Sequence, residues 1–452
     1  MKPIFLMDFG STYTKLTAID PDGASIIATA QSETTAATDI GIGLAKAEEA
    51  LFAAAGKMEA SARYACSSAA GGLRMIASGL VPALTAEAAK RAALGAGAKV
   101  IRTYSYQLTD EDIGEIQTLA PDMILLSGGT DGGNRENIEA NAQMIARCAH
   151  KCPVIIAGNR AAAKDCQAIL SDAGFVTIVT QNVMPTFGTL SIAPAQAAIR
   201  ELFLERIIQA KGLAKAQSLI SGILMPTPAA VLEALELLAK DVGELMAVDL
   251  GGATTDVFSI TAGEPTKAGT VLRGLPEPYA KRTVEGDIGM RYSAHSVVES
   301  EGSIKLARLA GQSEEMLLNW IALIDKQKEI LPQTDGQRAC DFALATAAVS
   351  MGLSRHAGTI EQVYTPMGVA YQQTGKDLTR TKLLLLTGGA LIHSGAAERI
   401  AASALADAQK PGSLVPEAPA VALDRSYILS AMGLLAQSHP ELSRKIMVKE
   451  FA

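Results

Sequence analysis

Cysteine, histidine and aromatic residues are scarce in this sequence of 452 residues, which has five cysteines, five histidines and 4% aromatic residues. The cysteines form an odd and scattered set: Cys66, Cys148, Cys152, Cys166 and Cys340. Such a set is a poor disulfide framework, so we expect reduced thiols and a cytoplasmic protein. Cys148 and Cys152 flank His150, but structural zinc usually needs a second pair of ligands, and no such pair follows at suitable spacing.

Long apolar runs and an excess of positive charge are also missing. The longest apolar stretch, residues 383–392, is far shorter than the ~20 residues that span a bilayer. Lys and Arg number 40 against 47 Asp and Glu, and the net charge of −7 gives no broad electrostatic footprint for nucleic acid or an anionic membrane. We therefore expect neither as a partner. The 48% apolar fraction excludes a disordered chain, and 452 residues are enough for two lobes.

Two segments separated by about half of the chain share one pattern. A run of apolar residues ends in Asp8 and a glycine, and a β-branched segment follows; the same pattern recurs at Asp249. Each copy predicts a buried strand, a glycine turn and a second strand. Further along each half, an apolar run leads into residues 127–129 (Ser-Gly-Gly) or residues 387–389 (Thr-Gly-Gly). Two markers repeated in the same order predict a duplicated domain.

Ala-rich stretches with apolar residues at helical spacing fill the intervals between these markers. Several of them end at glycine, and short apolar runs such as residues 154–158 lie between them, as parallel strands do. Strands that alternate with helices predict an α/β layered fold. We predict a first lobe over residues 1–205 and a second over residues 206–452, with a final helix near residues 425–437 that packs back on the first lobe.

The two glycine turns are candidate phosphate cradles. Glycine lets backbone N–H groups approach an anion closely, and successive N–H groups form a nest for it. The predicted phosphate-binding residues are Gly10, Ser11, Thr12, Tyr13 and Lys15 at the first turn, and Gly251, Gly252, Ala253 and Thr254 at the second. Because like charges repel, we expect Asp8 and Asp249 to hold Mg²⁺ through water and not to touch phosphate. The turns match neither the dinucleotide fingerprint nor the P-loop.

Residues 8–15 (DFGSTYTK) resemble the phosphate-1 loop of the superfamily of actin, sugar kinases and heat-shock chaperone ATPases, and residues 249–257 (DLGGATTDV) resemble its phosphate-2 loop. Residues 383–393 (LLLLTGGALIH) are similar to its adenosine motif. The resemblance implies an actin-like ATPase fold, with two ribonuclease-H-like lobes that close on ATP and Mg²⁺ in a cleft between them. It implies catalytic roles for Asp8, Asp249 and Asp256. It also implies adenosine contacts by Glu285, Gly388, Gly389 and Ala390.

Three longer motifs are together more specific: SSAAGGLRM (67–75), SGGTDGGN (127–134) and RTVEGDIGMR (282–291). A further segment, LDRSYILSAMGLL (423–435), belongs to the same combination. Together with the turns they resemble, over nearly the whole chain, the family of MutL-type accessory proteins that accompany glutamate mutase, also called methylaspartate mutase. The resemblance implies ATP-dependent reactivation of an adenosylcobalamin-dependent mutase, with the mutase subunits as partners and ATP and Mg²⁺ as cofactors.

One position departs from the superfamily pattern. Heat-shock-type ATPases carry a carboxylate in the first connecting motif, where it helps to orient the attacking water. This sequence has residues 225–227 (Met-Pro-Thr) at the comparable place. Hydrolysis then depends on one of the catalytic carboxylates named above, or on a further residue such as Glu285. We expect slow turnover of the kind that suits a switch.

Other functions on the same fold stay open at this point. A small-molecule kinase would need a carboxylate as base on the acceptor side, for which Asp256 and Asp131 are candidates. An actin-like filament subunit and a homo-oligomer are further alternatives. The loop of residues 127–134 is either a second ligand site or the cap of the following helix, formed by Asn134.

Overall fold

The structure is a computed structural model that describes residues 2–10, 13–35, 39–68, 73–210, 222–366 and 368–451, without the side chains of residues 204–210 and 222–224. The chain forms two compact units. Unit 1 contains Met1–Ala234, Gly274–Pro276 and Leu429–Ile446, and unit 2 contains Leu235–Arg273, Glu277–Ile428 and Met447–Ala452. The domain boundary after residue 205, which was predicted from the sequence repeats, stays a prediction. The division into compact units reflects packing and not sequence similarity.

The strands of the described residues are β1 (Ile4–Phe9), β2 (Tyr13–Asp20), β3 (Ser25–Glu33), β4 (Ala62–Ser67), β5 (Arg74–Gly79), β6 (Lys99–Ser105), β7 (Met123–Leu126), β8 (Val154–Ile156), β9 (Thr177–Val179), β10 (Gly222–Pro226), β11 (Leu245–Leu250), β12 (Thr255–Ile260), β13 (Thr270–Arg273), β14 (Ala280–Glu285), β15 (Thr359–Thr365), β16 (Gly368–Thr374), β17 (Leu383–Thr387) and β18 (Ala420–Leu423). The helices there are α1 (Ile40–Ala55), α2 (Glu87–Gly95, after a π-helical turn at Pro82–Ala86), α3 (Asp110–Leu119), α4 (Glu136–Ala146), α5 (Ala163–Asp172), α6 (Ala193–Ala210), α7 (Thr227–Val242), α8 (Ala294–Glu301), α9 (Ser303–Ala310), α10 (Glu314–Lys326), α11 (Asp335–His356), α12 (Gly389–Ile392), α13 (Ala397–Ala408), α14 (Leu429–Ala436) and α15 (Pro440–Phe451). Within the described ranges, no helix combines the length and the apolarity needed to cross a bilayer.

The first sheet of unit 1 has the strand order β10-β4-β1-β2-β3. β1 pairs antiparallel with β2, and β2 with β3, whereas β1 pairs in parallel with β4, and β4 with β10. This is the strand order of a ribonuclease-H-like domain, as predicted. β1 is buried along its whole length, as its continuous apolar run predicts. Its side chains pack with those of β2 and α1, through residues such as Phe5, Leu16 and Leu44.

Unit 1 also contains a second sheet, which is entirely parallel and has the order β6-β5-β7-β8-β9. This is the strand order of flavodoxin-like sheets. Side chains such as Ile124, Ile138 and Val154 form a core between these strands and the helices that alternate with them. The sequence predicted short parallel strands here but not a separate sheet, because alternation of strands and helices indicates a fold class and leaves the pairing of strands undetermined.

The loop of residues 127–134 follows β7 and is held by its own polar side chains. The residue that flanks the following helix is Arg135 and not the predicted Asn134, but the Asn134 side chain accepts a hydrogen bond from the Asn137 N–H in the first turn, at 3.1 Å. The Asp131 carboxylate accepts hydrogen bonds from the Arg160 N–H and from the Asn182 amide, both at 3.0 Å. These contacts give the loop a structural role, and a second ligand site there stays a hypothesis.

Unit 2 repeats the topology of the first sheet, with the strand order β14-β12-β11-β17-β18. β11 pairs antiparallel with β12, and β12 with β14, whereas β11, β17 and β18 are parallel. Strand order and strand directions are therefore the same in the two units, and the predicted duplication is confirmed. α11 packs against β12, where Gly352 leaves room for Val257. A three-stranded sheet of order β13-β16-β15 completes this unit.

A buried polar cluster links β12 to the end of α11. His356 bonds the Thr283 hydroxyl through Nδ1 and the Ser259 hydroxyl through Nε2, each at 2.8 Å. The Nζ of Lys376 also donates to the Ser259 hydroxyl, at 3.2 Å. Burial, and then the charges of Lys281 and Lys376, lower the pKa of His356 well below its ordinary value. The imidazole is therefore neutral in the folded protein at neutral pH.

His356 should make the stability of the protein depend on pH. The unfolded imidazole titrates near pH 6.5, whereas the folded one stays neutral to lower pH, so below about pH 6.5 the unfolded state binds more protons. As the pH decreases below about 6.5, we expect this residue alone to lower the free energy of unfolding by about 1.4 kcal/mol for each pH unit, until the folded-state pKa is reached. Urea unfolding at a series of pH values from about 7 to about 5 measures this slope.

Two histidine variants test this expectation. His356→Gln should give a shallower pH slope, because it removes the group that protonates only after unfolding. His295→Gln is the comparison variant, because that side chain is 63% exposed. Equal slopes in the two variants would assign the pH dependence to other groups.

Candidate functional site

The turn between the first two strands has the same hydrogen bond in both units. The Gly10 N–H donates to the Tyr13 carbonyl, and the Gly251 N–H donates to the Thr254 carbonyl, each at 3.0 Å. A Cβ on the glycine would lie 2.6 Å from the carbonyl oxygen in the first turn and 2.9 Å in the second. Both distances are too short for a side chain, so each turn requires glycine at this position. The predicted phosphate contacts at residues 11–12 lie outside the described residues.

The residue opposite the strand-ending aspartate differs between the two units. Asp8 on β1 faces Lys15 on β2, whereas Asp249 on β11 faces Asp256 on β12. Directly opposite residues of antiparallel strands point to the same side of the sheet. The first turn thus combines a carboxylate with an ammonium group, and the second combines two carboxylates. Tyr13, predicted to bind phosphate, begins β2 with an exposed side chain.

Asp8 is buried and accepts hydrogen bonds from two hydroxyl groups that are distant in sequence. The Oγ1 of Thr227, at the start of α7, donates to Asp8 Oδ1 at 2.7 Å, and the Oγ of Ser430, in α14, donates to Oδ2 at 3.0 Å. The Nζ of Lys15 lies 3.5 Å from Oδ2, and the Sγ of Cys66 lies 3.5 Å from Oδ1. We call these five residues the Asp8 cluster. All of them belong to unit 1.

The thiol of Cys66 is fully buried beside the Asp8 carboxylate. Burial, and then the negative charge of Asp8, raise the pKa of this thiol well above its ordinary value. The thiol therefore stays protonated at neutral pH. It serves as a weak hydrogen-bond donor to the carboxylate and not as a nucleophile.

The predicted adenosine motif packs directly on the strand that carries Asp249. β17 runs parallel to β11, with Thr387 opposite Asp249 in register. Gly388 follows with φ +97°, and a Cβ there would lie 2.8 Å from Asp249 Oδ1 and would collide with the Leu250 carbonyl. Gly389 begins α12, and a Cβ there would meet no atom within 4 Å. The structure therefore brings Gly388 and Asp249 together and leaves space beside Gly389.

The loop of residues 286–293 packs on the carbonyl groups of the second turn. The carbonyls of residues 251–253 accept hydrogen bonds of 2.6 to 3.1 Å from residues 290–293. Among the described residues, none accepts a hydrogen bond from the N–H groups of residues 252–254. The carbonyl groups of the turn thus have hydrogen-bond partners within the protein, while its N–H groups can donate hydrogen bonds to a bound anion.

Asp256, a predicted catalytic carboxylate, forms an ion pair with an arginine. Arg282 on β14 donates through Nε and Nη2 to Asp256 Oδ1, at 2.8 and 2.6 Å. The side chains of Arg282 and Asp256 are only 3% and 14% exposed. The structure thus gives Asp256 a role in this ion pair, and its catalytic role stays a prediction.

Glu285, a predicted adenosine contact, also pairs with an arginine. The Nη1 of Arg355 lies 2.8 Å from Glu285 Oε2 and 2.8 Å from Asp287 Oδ1. The hydrogen bond from Arg355 lowers the pKa of Asp287, and the same bond raises the pKa of Arg355. The structure thus places Glu285 in an ion-pair cluster at the end of β14. Its contact with adenosine stays a prediction, as does that of the half-buried Ala390.

Sequence reasoning missed the residues that hold the carboxylates of Asp8 and Asp256. The hydrogen bonds of Thr227 and Ser430 to Asp8 span 219 and 422 positions of the chain, and neither periodicity nor spacing pairs such distant residues. A signal was nevertheless available. Ser430 and Arg282 lie inside motifs that carry the family resemblance, and Thr227 belongs to residues 225–227, the place at which the resemblance to heat-shock-type ATPases predicts a carboxylate.

The donor groups fit a magnesium nucleotide. Asp8 and Asp249 offer carboxylate oxygens, which Mg²⁺ binds directly or through its water molecules. The N–H groups of residues 252–254 suit phosphate oxygens, and Lys15 adds a positive charge beside Asp8. The part of the chain that the structure describes holds no cluster of three or more metal-binding side chains. Because Mg²⁺ usually keeps several of its water molecules, water and phosphate oxygens would complete the coordination of a magnesium ion there.

Comparison with known proteins shows the family to which this chain belongs. The model of the family described as MutL protein matches residues 4–451. A relative named Protein MutL, from Clostridium tetanomorphum, is 48% identical over 457 residues, which is 99% of this chain and 99% of the relative. Both glycine turns and all the described strands lie inside the matched range.

Solved structures match the chain over nearly its whole length at low sequence identity. The diol dehydratase-reactivating factor in nucleotide-free form has a TM-score of 0.40 and 12% identity, and the match covers 97% of this chain and 100% of that one. The activator of 2-hydroxyisocaproyl-CoA dehydratase from Clostridium difficile, with bound ADPNP, has a TM-score of 0.32 and 10% identity, with 100% and 98% covered. The ribonuclease-H-like assignment rests on the strand order of the two sheets and not on these values.

Proposed function

We propose, from the premise that this chain belongs to the MutL protein family, that it binds ATP, hydrolyses it slowly and reactivates an adenosylcobalamin-dependent mutase of the glutamate mutase type. ATP and Mg²⁺ are the cofactors in this proposal, and the mutase subunits are the partners. The nucleotide acts as a switch that sets the conformation read by the mutase, which then releases an inactive cobalamin. A cytoplasmic location is part of the proposal, since all five cysteines are free.

The observation that carries the proposal is the repetition of one turn. In each unit the next-to-last residue of a strand is aspartate, and a glycine turn closed by a 3.0 Å hydrogen bond follows. One such turn alone is a common structural element. The same turn at the same place in two sheets of equal topology, with N–H groups available at residues 252–254, supports a site for a phosphorylated ligand.

The residues have separate roles in this proposal. The N–H groups of residues 252–254 and the Lys15 ammonium bind phosphate oxygens. Asp8 in unit 1 and Asp249 in unit 2 are each a carboxylate that can orient water molecules of hydrated magnesium, which neutralises phosphate charge when bound. Gly389 lets adenosine lie close to the backbone, where a side chain would block it.

We expect slow hydrolysis because the candidate catalytic bases are already held in contacts with other residues. Asp256 and Glu285 each pair with an arginine, and Thr227 stands where the superfamily has a carboxylate. The kinase alternative needs Asp256 or Asp131 as a base, and both carboxylates are held in contacts of their own. These observations favour a switch over an enzyme of rapid turnover.

Cobalamin release from an inactivated mutase tests the proposed function. Purified mutase carrying inactive cobalamin is mixed with this protein and ATP, ADP or no nucleotide, each with Mg²⁺, and is then separated from small molecules. Absorbance measures the cobalamin that remains on the mutase. We expect release with ATP and Mg²⁺, little release without nucleotide, and return of mutase activity after fresh adenosylcobalamin is added.

Calorimetric titration with ATP separates the possible failures. Cobalamin that stays bound under every nucleotide condition, although ATP binds, would disprove reactivation and leave the nucleotide site intact. ATP consumption that depends strictly on a sugar or acid acceptor would support a kinase. Sedimentation of the protein with ATP would indicate a filament.

A further inference from the structure

Two short hydrogen bonds determine the orientation of the Asp8 carboxylate. The Thr227 hydroxyl donates to one oxygen at 2.7 Å, and the Ser430 hydroxyl donates to the other at 3.0 Å. An ionised carboxylate only accepts hydrogen bonds, so both hydroxyls must act as donors here. Because each bond holds a different oxygen, together they prevent the carboxylate from rotating about its bond to Cβ.

The other two contacts of Asp8 are weaker. Lys15 Nζ and Cys66 Sγ both lie 3.5 Å from a carboxylate oxygen, beyond the usual range of a strong hydrogen bond. A carboxylate offers about four lone-pair directions, and the hydroxyls of Thr227 and Ser430 take two of them. The side chains of Lys15 and Asp8 are 18% and 5% exposed, so a magnesium ion would contact Asp8 through its water molecules and not directly.

The helices that carry the two hydroxyls are fixed against each other. Thr227 begins α7, and Ser430 lies in α14, which packs on β1 and β4. The two backbones approach so closely at Gly433 that a Cβ there would collide with the Ala230 carbonyl. The distance between the two hydroxyls is therefore set by backbone packing and not by flexible side chains, as an orienting device requires.

We propose that Thr227 and Ser430 are positioning residues for Asp8: their hydroxyls hold the carboxylate in the orientation that binds the hydrated magnesium of a bound nucleotide. This inference rests on the proposed function, since it needs a magnesium nucleotide at the first turn. It assigns a role to Thr227 at the position where the superfamily pattern has a carboxylate. In place of orienting water itself, Thr227 orients the carboxylate that does so.

Calorimetric titration of ATP at a series of magnesium concentrations tests this role. Thr227→Val and Ser430→Ala should each raise the half-saturating magnesium concentration about tenfold, because a freely rotating carboxylate binds the hydrated ion less well. The affinity for ATP without magnesium should not change. Thr227→Ser and Ser430→Thr keep the hydroxyl and should restore the magnesium dependence.

Ser443→Ala is the matched control, because the Ser443 hydroxyl is also buried in unit 1 but donates to the Met432 carbonyl at 2.7 Å. It should change the melting temperature and not the magnesium dependence. An unchanged magnesium dependence in Thr227→Val and Ser430→Ala would overturn the inference. A lower half-saturating concentration would overturn it as well, since the hydroxyls would then compete with the ion. Absence of ATP binding to the unaltered protein would refute the proposed function.

Discussion

Replacement of Asp249 by asparagine should raise the magnesium concentration needed for ATP binding by about 10- to 100-fold. The amide has no negative charge, so it interacts more weakly with the water molecules around the ion. Asparagine has nearly the same shape as aspartate, and the packing of Gly388 beside this position should persist. Calorimetric titration with ATP at several magnesium concentrations measures the effect.

The same variant should not destabilise the protein without nucleotide. Asp249 and Asp256 face each other across β11 and β12, and like charges in that arrangement are unfavourable, although the pairing of Asp256 with Arg282 reduces the repulsion. We therefore expect the free energy of unfolding to stay equal or to rise slightly while magnesium binding weakens. Asp325→Asn is the control, since this carboxylate pairs with Lys328 at 2.8 Å on the surface of unit 2. Equal magnesium dependence in both variants would remove Asp249 from the metal site.

The duplicated sheets could be predicted because their signals are local. A continuous apolar run predicts a buried strand such as β1, and a glycine that follows an aspartate predicts the turn after it. The difference between the two turns was also present in the sequence. Lys15 and Asp256 occupy equivalent places in the two hairpins, and the register shows that each faces the strand-ending aspartate.

Contacts between distant segments could not be predicted in this way. Periodicity describes which face of one element is buried, but it does not say which other element covers that face. The hydrogen bond from Ser430 to Asp8 depends on the packing of α14 against β1, and the pair of Asp256 with Arg282 depends on the register of β14. The second, parallel sheet of unit 1 was missed for the same reason.

Replacing each of two adjacent glycines by alanine should distinguish an effect on stability from an effect on nucleotide affinity. At Gly388, φ is +97°, and a Cβ would collide with the Leu250 carbonyl and lie 2.8 Å from Asp249 Oδ1. The backbone strain costs about 1 to 3 kcal/mol, and the overpacking costs a similar amount. Gly388→Ala should therefore lower the free energy of unfolding by about 2 to 6 kcal/mol, measured by urea unfolding, and should impair ATP binding with it.

Gly389→Ala should have the opposite effect on stability. A Cβ there meets no atom within 4 Å, and alanine reduces the conformational freedom of the unfolded chain, so stability should rise by about 0.4 to 1 kcal/mol. If adenosine lies against this backbone, the added methyl group blocks it, and ATP affinity should fall about tenfold or more. Gly114→Ala on α3 is the control, since a Cβ there also meets no atom within 4 Å and no ligand is expected nearby. Unchanged ATP affinity in a stabilised Gly389→Ala variant would mean that adenosine binds elsewhere.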